Sequence, residues 1–495
     1  MDLDRAACYR ALLTRDVRFD GRFFTGVSST GIYCRPVCPA RPPKFEHCLF
    51  YATASAAQAA GHRPCLRCRP EVAPSLSAWH GTCATVQRAL NLIESGAAQE
   101  SDLPSLATRL GIGERHLRRL FQKHLGTSPR AVVQTRRILF AKQLITDTSI
   151  PMTDIALATG FGSVRRFNGA IRQLYGRPPR ELRRSKLPAE SIIRLRLPFS
   201  PPYDWTAILD FLRPRAIPGV EVVEAECYWR SIEMDGVHGI VAVSKGTGNS
   251  LCAEIRFPSM RALSEIVRRL RHLFDLSADP FTITQHLTQD PALACLLAQR
   301  PGLRVPGCWD GFETAVRAIL GQQVTVRAAT QLAGRVVAAF GKELSIANRA
   351  GVPSALNAVF PRPADLRHVG SSPLGMPNAR QVALRELALM AENDVHLFQI
   401  GCSLDEAIER LKRVPGIGDW TAQYIAMRIL REPDAFPAQD VALLRSCSAA
   451  FGSKGFGDVL RRADQWRPWR AYAAMHLWAA DANQKHEEAG REAVA

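Results

Sequence analysis

The sequence predicts a multidomain, mainly α protein, with a small α/β module, two helix-turn-helix units, a β-rich α+β subdomain and an all-helical C-terminal domain. Three observations predict it. At 495 residues the chain is too long for one hydrophobic core. The pattern changes along the chain from cysteine-bearing turns to helical spacing, then to strand-like runs, then back to helical spacing. Proline-rich junctions, PEVAPSLSAW and KLPAESIIRLRLPFSPPYDW, fall at two of these changes. The expected borders are 1–76, 80–186, 192–278 and 280–490.

With 46% apolar and 22% charged residues, the composition is that of an ordinary folded protein. The net charge of +18 points towards a polyanionic partner. Residues 101–186 carry 17 basic and 5 acidic side chains, so most of the excess sits in one segment, as on a nucleic-acid surface. The start, MDLDRAACYRALLTRD, has no apolar signal core, and nowhere do about 18 apolar residues run together. The expectation is a reducing cytoplasm with no membrane partner. There, 13 cysteines are free or metal-bound rather than paired. Cys8, Cys83, Cys227, Cys252, Cys295 and Cys402 stand alone and read as bystanders.

The first module holds two close pairs. Cys34 and Cys38 sit in STGIYCRPVCPARPP, and Cys65 and Cys68 in GHRPCLRCRP, both among turn formers. Two short-spaced pairs a few tens of residues apart suit one tetrahedral Zn2+ with four thiolates, because each turn presents two sulfurs to one ion. Spacing alone leaves a structural and a reactive zinc site equally open. TGIYCRPVC followed by FYATASAAQAAGHRPCLRC resembles the N-terminal domain of the adaptive-response regulator Ada, over residues 5–75. The resemblance implies that Cys34 accepts a methyl group from a methyl phosphotriester in DNA. It makes Thr30, Arg41 and Arg67 candidate phosphate contacts. Methylation would remove one negative charge facing a phosphate backbone, so DNA affinity should rise.

SLATRLGIGERHLRRLFQKHLG reads as helix, turn at Gly111–Gly113, and a second helix from about Glu114. MTDIALATGFGSVRRFNGAIRQLYGRPP repeats the plan, turning near Gly160–Gly162 with a second helix from about Ser163. Two such units joined by a long helix resemble the DNA-binding domain of AraC-type regulators. Second helices of this kind enter the major groove by their N-terminal half. The expected contacts are Arg115, His116 and Arg119 in the first unit, and Ser163, Arg165 and Arg166 in the second. Phosphate contact, or arginine stems covering apolar surface, is the plainer alternative for each.

In the last segment, LKRVPGIGDWTAQYIAMRIL reads as a helix that stops at Pro415–Gly418 and restarts at once, a helix–hairpin–helix. Gly416, Ile417 and Gly418 let such a turn approach a phosphate backbone, and its carbonyls can hold a monovalent cation. Asp440 follows 22 residues after Gly418 in FPAQDVALLR. A lone Asp before an apolar helix is ordinarily an N-cap, but this is where the hairpin-plus-aspartate glycosylases carry their catalytic carboxylate.

PPYDW, RPGLRVPGCWDGFETAVRAILGQQVTV and RPWRAYAAMHLW resemble the 3-methyladenine DNA glycosylase II (AlkA) subfamily, across nearly all of 195–480. The resemblance implies a base pocket lined by Gln322, Trp420, Tyr424 and Trp478. It implies catalysis by Asp440 and DNA contact at Gln323, which stands where the family has an apolar wedge. Aromatic faces would favour a cationic alkylated purine by about 0.5–2 kcal/mol each. Core packing is the plain alternative for Trp420 and Tyr424, four apart on one helix. Strand-cutting relatives place a lysine where Trp420 stands, so a monofunctional enzyme leaving an abasic site is expected. Only Cys447 lies beyond residue 402, so no iron–sulfur cluster is expected. No Pro-Cys-His-Arg string occurs, so O6-methylguanine reversal is not expected.

The resulting expectation is a regulator fused to a repair enzyme, acting on double-stranded DNA as a monomer at the bacterial nucleoid, with RNA polymerase as the regulator's further partner. The competing readings are an activator whose glycosylase half is inactive, and a repair enzyme whose front half only tethers it to methylated DNA.

Overall fold

The computed structural model describes residues 3–74, 84–94, 103–183, 192–371, 374–394, 397–398, 404–453 and 455–492. Cys83, Cys402, the second half of the first proline-rich junction and the start of the second lie outside them. The expected mainly α, multidomain architecture is what is found. The described residues form two compact units: Met1–Pro201, Met234–Arg271 and Leu276–Asp279; and Pro202–Glu233, His272–Asp275 and Pro280–Ala495. This division runs through the segment expected as one subdomain at 192–278.

The first unit opens with α1 (Arg5–Thr14), β1 (Phe24–Val27), β2 (Ile32–Cys34), β3 (Cys48–Tyr51), α2 (Ala54–Ala59) and β4 (Arg63–Pro64). The strands lie in the order β3-β1-β2-β4, antiparallel except for β2 against β4. That parallel pair sets Tyr33 beside Pro64, so the residues that follow, Cys34 and Cys65, arrive side by side.

Helices follow: α3 (Ala84–Glu94), α4 (Leu103–Arg109), α5 (Glu114–Leu125), α6 (Pro129–Asp147), α7 (Met152–Ala158), α8 (Val164–Tyr175) and α9 (Pro179–Leu182). Each second helix buries a stripe spaced by four, Leu117, Phe121 and Leu125 on α5, and Phe167, Ile171 and Tyr175 on α8. α6 begins with Ser128 as cap and Pro129 in the first turn, both favoured there.

The zinc-type module is bonded to α6 through buried polar groups. Gln58 links the Tyr33 hydroxyl (2.9 Å) to Thr135 (2.9 Å), Arg69 reaches Thr146 and Asp147 at 2.7 Å, and buried Lys142 meets Glu71. The unit also holds β5 (Ile193–Pro198).

The chain continues with α10 (Trp205–Leu212), β6 (Glu221–Glu224), β7 (Cys227–Met234), β8 (Val237–Lys245), β9 (Ser250–Arg256) and α11 (Leu263–Leu273). In the first unit β9 lies between β5 and β8, antiparallel to both. In the second unit β6 and β7 form a hairpin.

The second unit is otherwise helical: α12 (Pro280–Leu287), α13 (Pro291–Gln299), α14 (Gly311–Leu320), α15 (Val326–Phe340), the short pair β10 (Lys342–Glu343) and β11 (Ala358–Val359), α16 (Asn378–Asn393), α17 (Leu404–Lys412), α18 (Asp419–Arg428), α19 (Val441–Phe451), α20 (Phe456–Ala463) and α21 (Arg470–Glu492). Buried Arg230 of β7 pairs with Glu221 of β6 and Glu313 of α14, and Arg317 of α14 pairs with the same two glutamates. Shared partners compensate the desolvation of these charges and fix α14 against the hairpin. α19 and α21 pack together, with the Ser446 hydroxyl donating to the Leu477 carbonyl at 2.7 Å.

Candidate active site and zinc centre

The four cysteine sulfurs of the first module lie within 4.8 Å of one another. Thiolates at about 2.3 Å from a tetrahedral Zn2+ would be about 3.8 Å apart, so the donor set fits. Cys38, Cys65 and Cys68 are buried and Cys34 is half-buried. Backbone N–H groups reach Cys68 (from Arg35, 3.4 Å), Cys65 (from Arg67, 3.4 Å) and Cys38 (from Ala40). Among the described residues none reaches Cys34. Hydrogen bonding stabilises a thiolate and lowers its nucleophilicity, and the half-buried Cys34 sulfur is the one of the four with no backbone donor among the described residues.

Arg35, which sequence reasoning passed over, pairs with buried Asp20 and donates to the Cys68 carbonyl at 3.0 Å, locking the loop after Cys34. Thr30, Arg41 and Arg67 are all exposed.

On α5 and α8 Arg115, His116, Arg119, Arg165 and Arg166 are exposed, and Arg119 bonds His116 at 3.0 Å. Ser163 is exposed too, but its hydroxyl accepts from the Arg166 N–H at 3.2 Å. It caps α8.

In the second unit, α19 and α18 deliver the catalytic candidates to one place. Asp440 caps α19, with Oδ1 accepting from the N–H groups of Ala442 (3.0 Å) and Leu443 (3.1 Å). The same oxygen accepts from the Trp478 indole at 2.9 Å, while Oδ2 accepts from the Trp420 indole at 3.1 Å. The cap and the candidate catalytic position are therefore one residue. Three donors saturate Oδ1, so the remaining acceptor capacity is on Oδ2.

Trp420 and Tyr424 stack at 5.4 Å between centroids with planes 11° apart, and Tyr424 meets Trp478 at 6.5 Å. A base sandwiched between Trp420 and Tyr424 would need about 7 Å, so it must use an outer face.

Arg428, one helical step further, was missed although its i, i+4 spacing from Tyr424 was visible. It donates to the Tyr424 hydroxyl at 2.6 Å and to the Pro306 and Gly307 carbonyls. Burial pushes the Tyr424 phenol up, but Arg428 and Arg215 outweigh burial and hold it below its ordinary value.

The hairpin turn has Gly416 at φ +84°, where a Cβ would lie 2.7 Å from that of Ala383. Gly418 has open space around it, and no side chain caps α18, so the first-turn N–H groups face outward. The Ile417 side chain is buried and its N–H bonds the Val414 carbonyl, so of this expected contact only the carbonyl remains.

Gln322 spends both amide hydrogens on the Gly416 carbonyl (2.7 Å) and the Thr421 hydroxyl (2.9 Å). It braces the hairpin rather than presenting a free amide to a pocket. Gln323 is exposed with φ +56°, a backbone state costing a non-glycine residue roughly 1–2 kcal/mol.

A carboxylate held by indoles behind a helix–hairpin–helix, together with a four-cysteine centre and paired helix-turn-helix units, defines a DNA-repair enzyme joined to a DNA-binding regulator. Sequence profiles agree. The metal binding domain of Ada matches residues 7–71, a helix-turn-helix domain 106–185, and the AlkA N-terminal domain 194–310. The probable bifunctional transcriptional activator/DNA repair enzyme AlkA of Mycobacterium tuberculosis is 37% identical over 483 residues, 96% of each chain. DNA-3-methyladenine glycosylase 2 of Escherichia coli is 34% identical over 295 residues, 59% of this chain and 99% of the relative. The 3-methyladenine DNA glycosylase structure from Archaeoglobus fulgidus shares the fold, with a TM-score of 0.51 and 23% identity over 58% of this chain and 98% of that one. The chain belongs to the family of bifunctional transcriptional activator/DNA repair enzymes of the AlkA type, with a cysteine-ligated zinc site. Among the described residues no helix is long and apolar enough to cross a membrane.

Proposed function

We propose that this protein removes alkylated purines from duplex DNA with Asp440 and takes methyl groups from DNA phosphotriesters with Cys34. The observation that carries the first activity is the Asp440 carboxylate, oriented by Trp420 and Trp478 with further acceptor capacity left on Oδ2. A cationic base such as 3-methyladenine leaves with the electron pair of its glycosidic bond, so the pocket needs no strong acid. Asp440 stabilises the positive sugar and takes the proton of the water that adds to it, leaving an abasic site. Trp420 stands where a lyase would need an amine, and among the described residues Asp440's hydrogen-bond partners include no lysine, which supports intact strands.

Cys34, Cys38, Cys65 and Cys68 would hold Zn2+, which would keep the Cys34 sulfur a thiolate at neutral pH. The Cys34 sulfur attacks the methyl carbon. An S–C bond forms, the C–O bond breaks, and the electron pair leaves on the phosphate as a diester anion. One negative charge is lost beside the DNA backbone, so affinity rises and the regulator is switched on. Thr30, Arg41 and Arg67 hold phosphates near Cys34. The exposed residues of α5 and α8 read the promoter, and RNA polymerase is the partner this implies. Gly416 and Gly418 admit the backbone at the hairpin, where a monovalent cation on the turn carbonyls would bind the same phosphates. The protein acts as a monomer in the cytoplasm, on the nucleoid.

The test is to incubate the protein with methylated duplex DNA, then map methylated peptides and assay free bases by mass spectrometry. Methyl on Cys34 together with free methylpurine is expected. Methyl on another cysteine, or no free base, would contradict the corresponding half.

A further inference from the structure

The loop between α14 and α15 carries Gln323 at its exposed tip, and Gln322 just behind it is bonded to other elements. Its amide donates to Gly416 and Thr421, at the turn and first helical turn of the hairpin. Its own carbonyl accepts from Arg380 of α16 at 2.7 Å. The same helix supplies Ala383, on which Gly416 closes so tightly that no side chain fits. One side of the loop is also pinned where Thr325 caps α15 through the Ala328 N–H at 3.2 Å. Loop and hairpin therefore share one set of fastenings, and the exposed tip has little freedom to move independently of the turn.

We propose that Gln322 is a positioning residue that couples capture of the DNA backbone by the hairpin to insertion of the Gln323 loop into the duplex. This rests on the glycosylase reading given above. With both amide hydrogens committed, Gln322 acts through the loop rather than on the base. Hairpin contact with a phosphate then sets the height at which Gln323 meets the base stack, and the cost of extruding the base is met where the backbone is already held. Without the tie the loop can withdraw. Extrusion should then suffer, while chemistry on a base already outside the stack should not.

The experiment measures single-turnover release of 7-methylguanine from two DNAs, one with the lesion paired in a duplex and one with it in a single-nucleotide bulge. Wild type is compared with Gln322→Ala, Thr421→Val and Thr421→Ser. Thr421→Val keeps the shape of a buried side chain and removes the hydroxyl that Gln322 bonds; Thr421→Ser restores it. Gln322→Ala and Thr421→Val should lose about tenfold on the paired lesion and stay within about twofold of wild type on the bulge, with Thr421→Ser unchanged on both. Activity on the bulge also reports that each variant is folded. Equal loss on both DNAs would make Gln322 a contact to the base and overturn the proposal. Thr421→Val at the wild-type rate on the paired lesion would overturn it as well. Wild type inert on both DNAs would instead remove the glycosylase reading itself.

Discussion

Replacing Trp478 by Phe would keep an aromatic ring beside Tyr424 and delete the indole N–H that reaches Asp440 Oδ1. Hydrogen bonds to a charged group contribute about 1.5–3 kcal/mol, so single-turnover base release should fall at least about tenfold while the melting temperature barely moves. An unchanged rate would mean that the backbone N–H groups alone orient the carboxylate. The residue-scale arrangement was largely legible, because Asp440, Trp420, Tyr424 and Trp478 lie together. What a string cannot show is that the cap of α19 and the candidate carboxylate are one side chain, with two backbone donors and two indoles on its oxygens. For the same reason the bonds of Gln322 to the hairpin were not legible. A residue's type tells what its amide can do, and only the fold tells where its hydrogens are spent.

The hairpin offers a paired prediction at the scale of an element. Gly416→Ala forces a side chain into a left-handed backbone and against Ala383, and should destabilise the second unit by about 1–3 kcal/mol in urea unfolding. Gly418→Ala meets nothing inside the protein and has ordinary φ, so stability should stay within about 0.5 kcal/mol. Its effect should appear in weaker duplex binding, because the new methyl stands where a phosphate would approach. Equal destabilisation by both, with unaltered binding, would remove the hairpin from the DNA interface. Helices of this kind were readable from four-residue stripes such as Leu117, Phe121 and Leu125. β4 was not, because Arg63–Pro64 is too short to show alternation, yet its parallel pairing with β2 is what brings Cys34 to Cys65.

For the molecule as a whole, stability should depend on pH through His476. This imidazole is buried in α21, and burial pushes its pKa down to about 4. The folded state keeps it neutral, whereas the unfolded chain takes a proton below about pH 6.5. Its contribution is therefore complete above that value and is lost as the pH falls towards about 4, by up to ~3 kcal/mol. His476→Gln should flatten part of the difference between urea midpoints measured at about pH 7 and about pH 5, and an unaltered difference would count against it. The changes of pattern along the chain, and so the expectation of four segments, were readable from composition and junctions. Their grouping was not, since strand patterns at 192–278 do not say which strands cluster with which core, and contacts assign β6 and most of β7 to the helical unit.

The most direct test of the account follows release of 3-methyladenine from duplex DNA by wild type and by Asp440→Asn, with strand integrity read before any alkali treatment. Release by wild type, a loss of about 10²-fold or more in the variant, and unbroken strands are the predicted result. Equal release by both proteins, or strands cut by the wild type, would contradict a monofunctional glycosylase centred on Asp440.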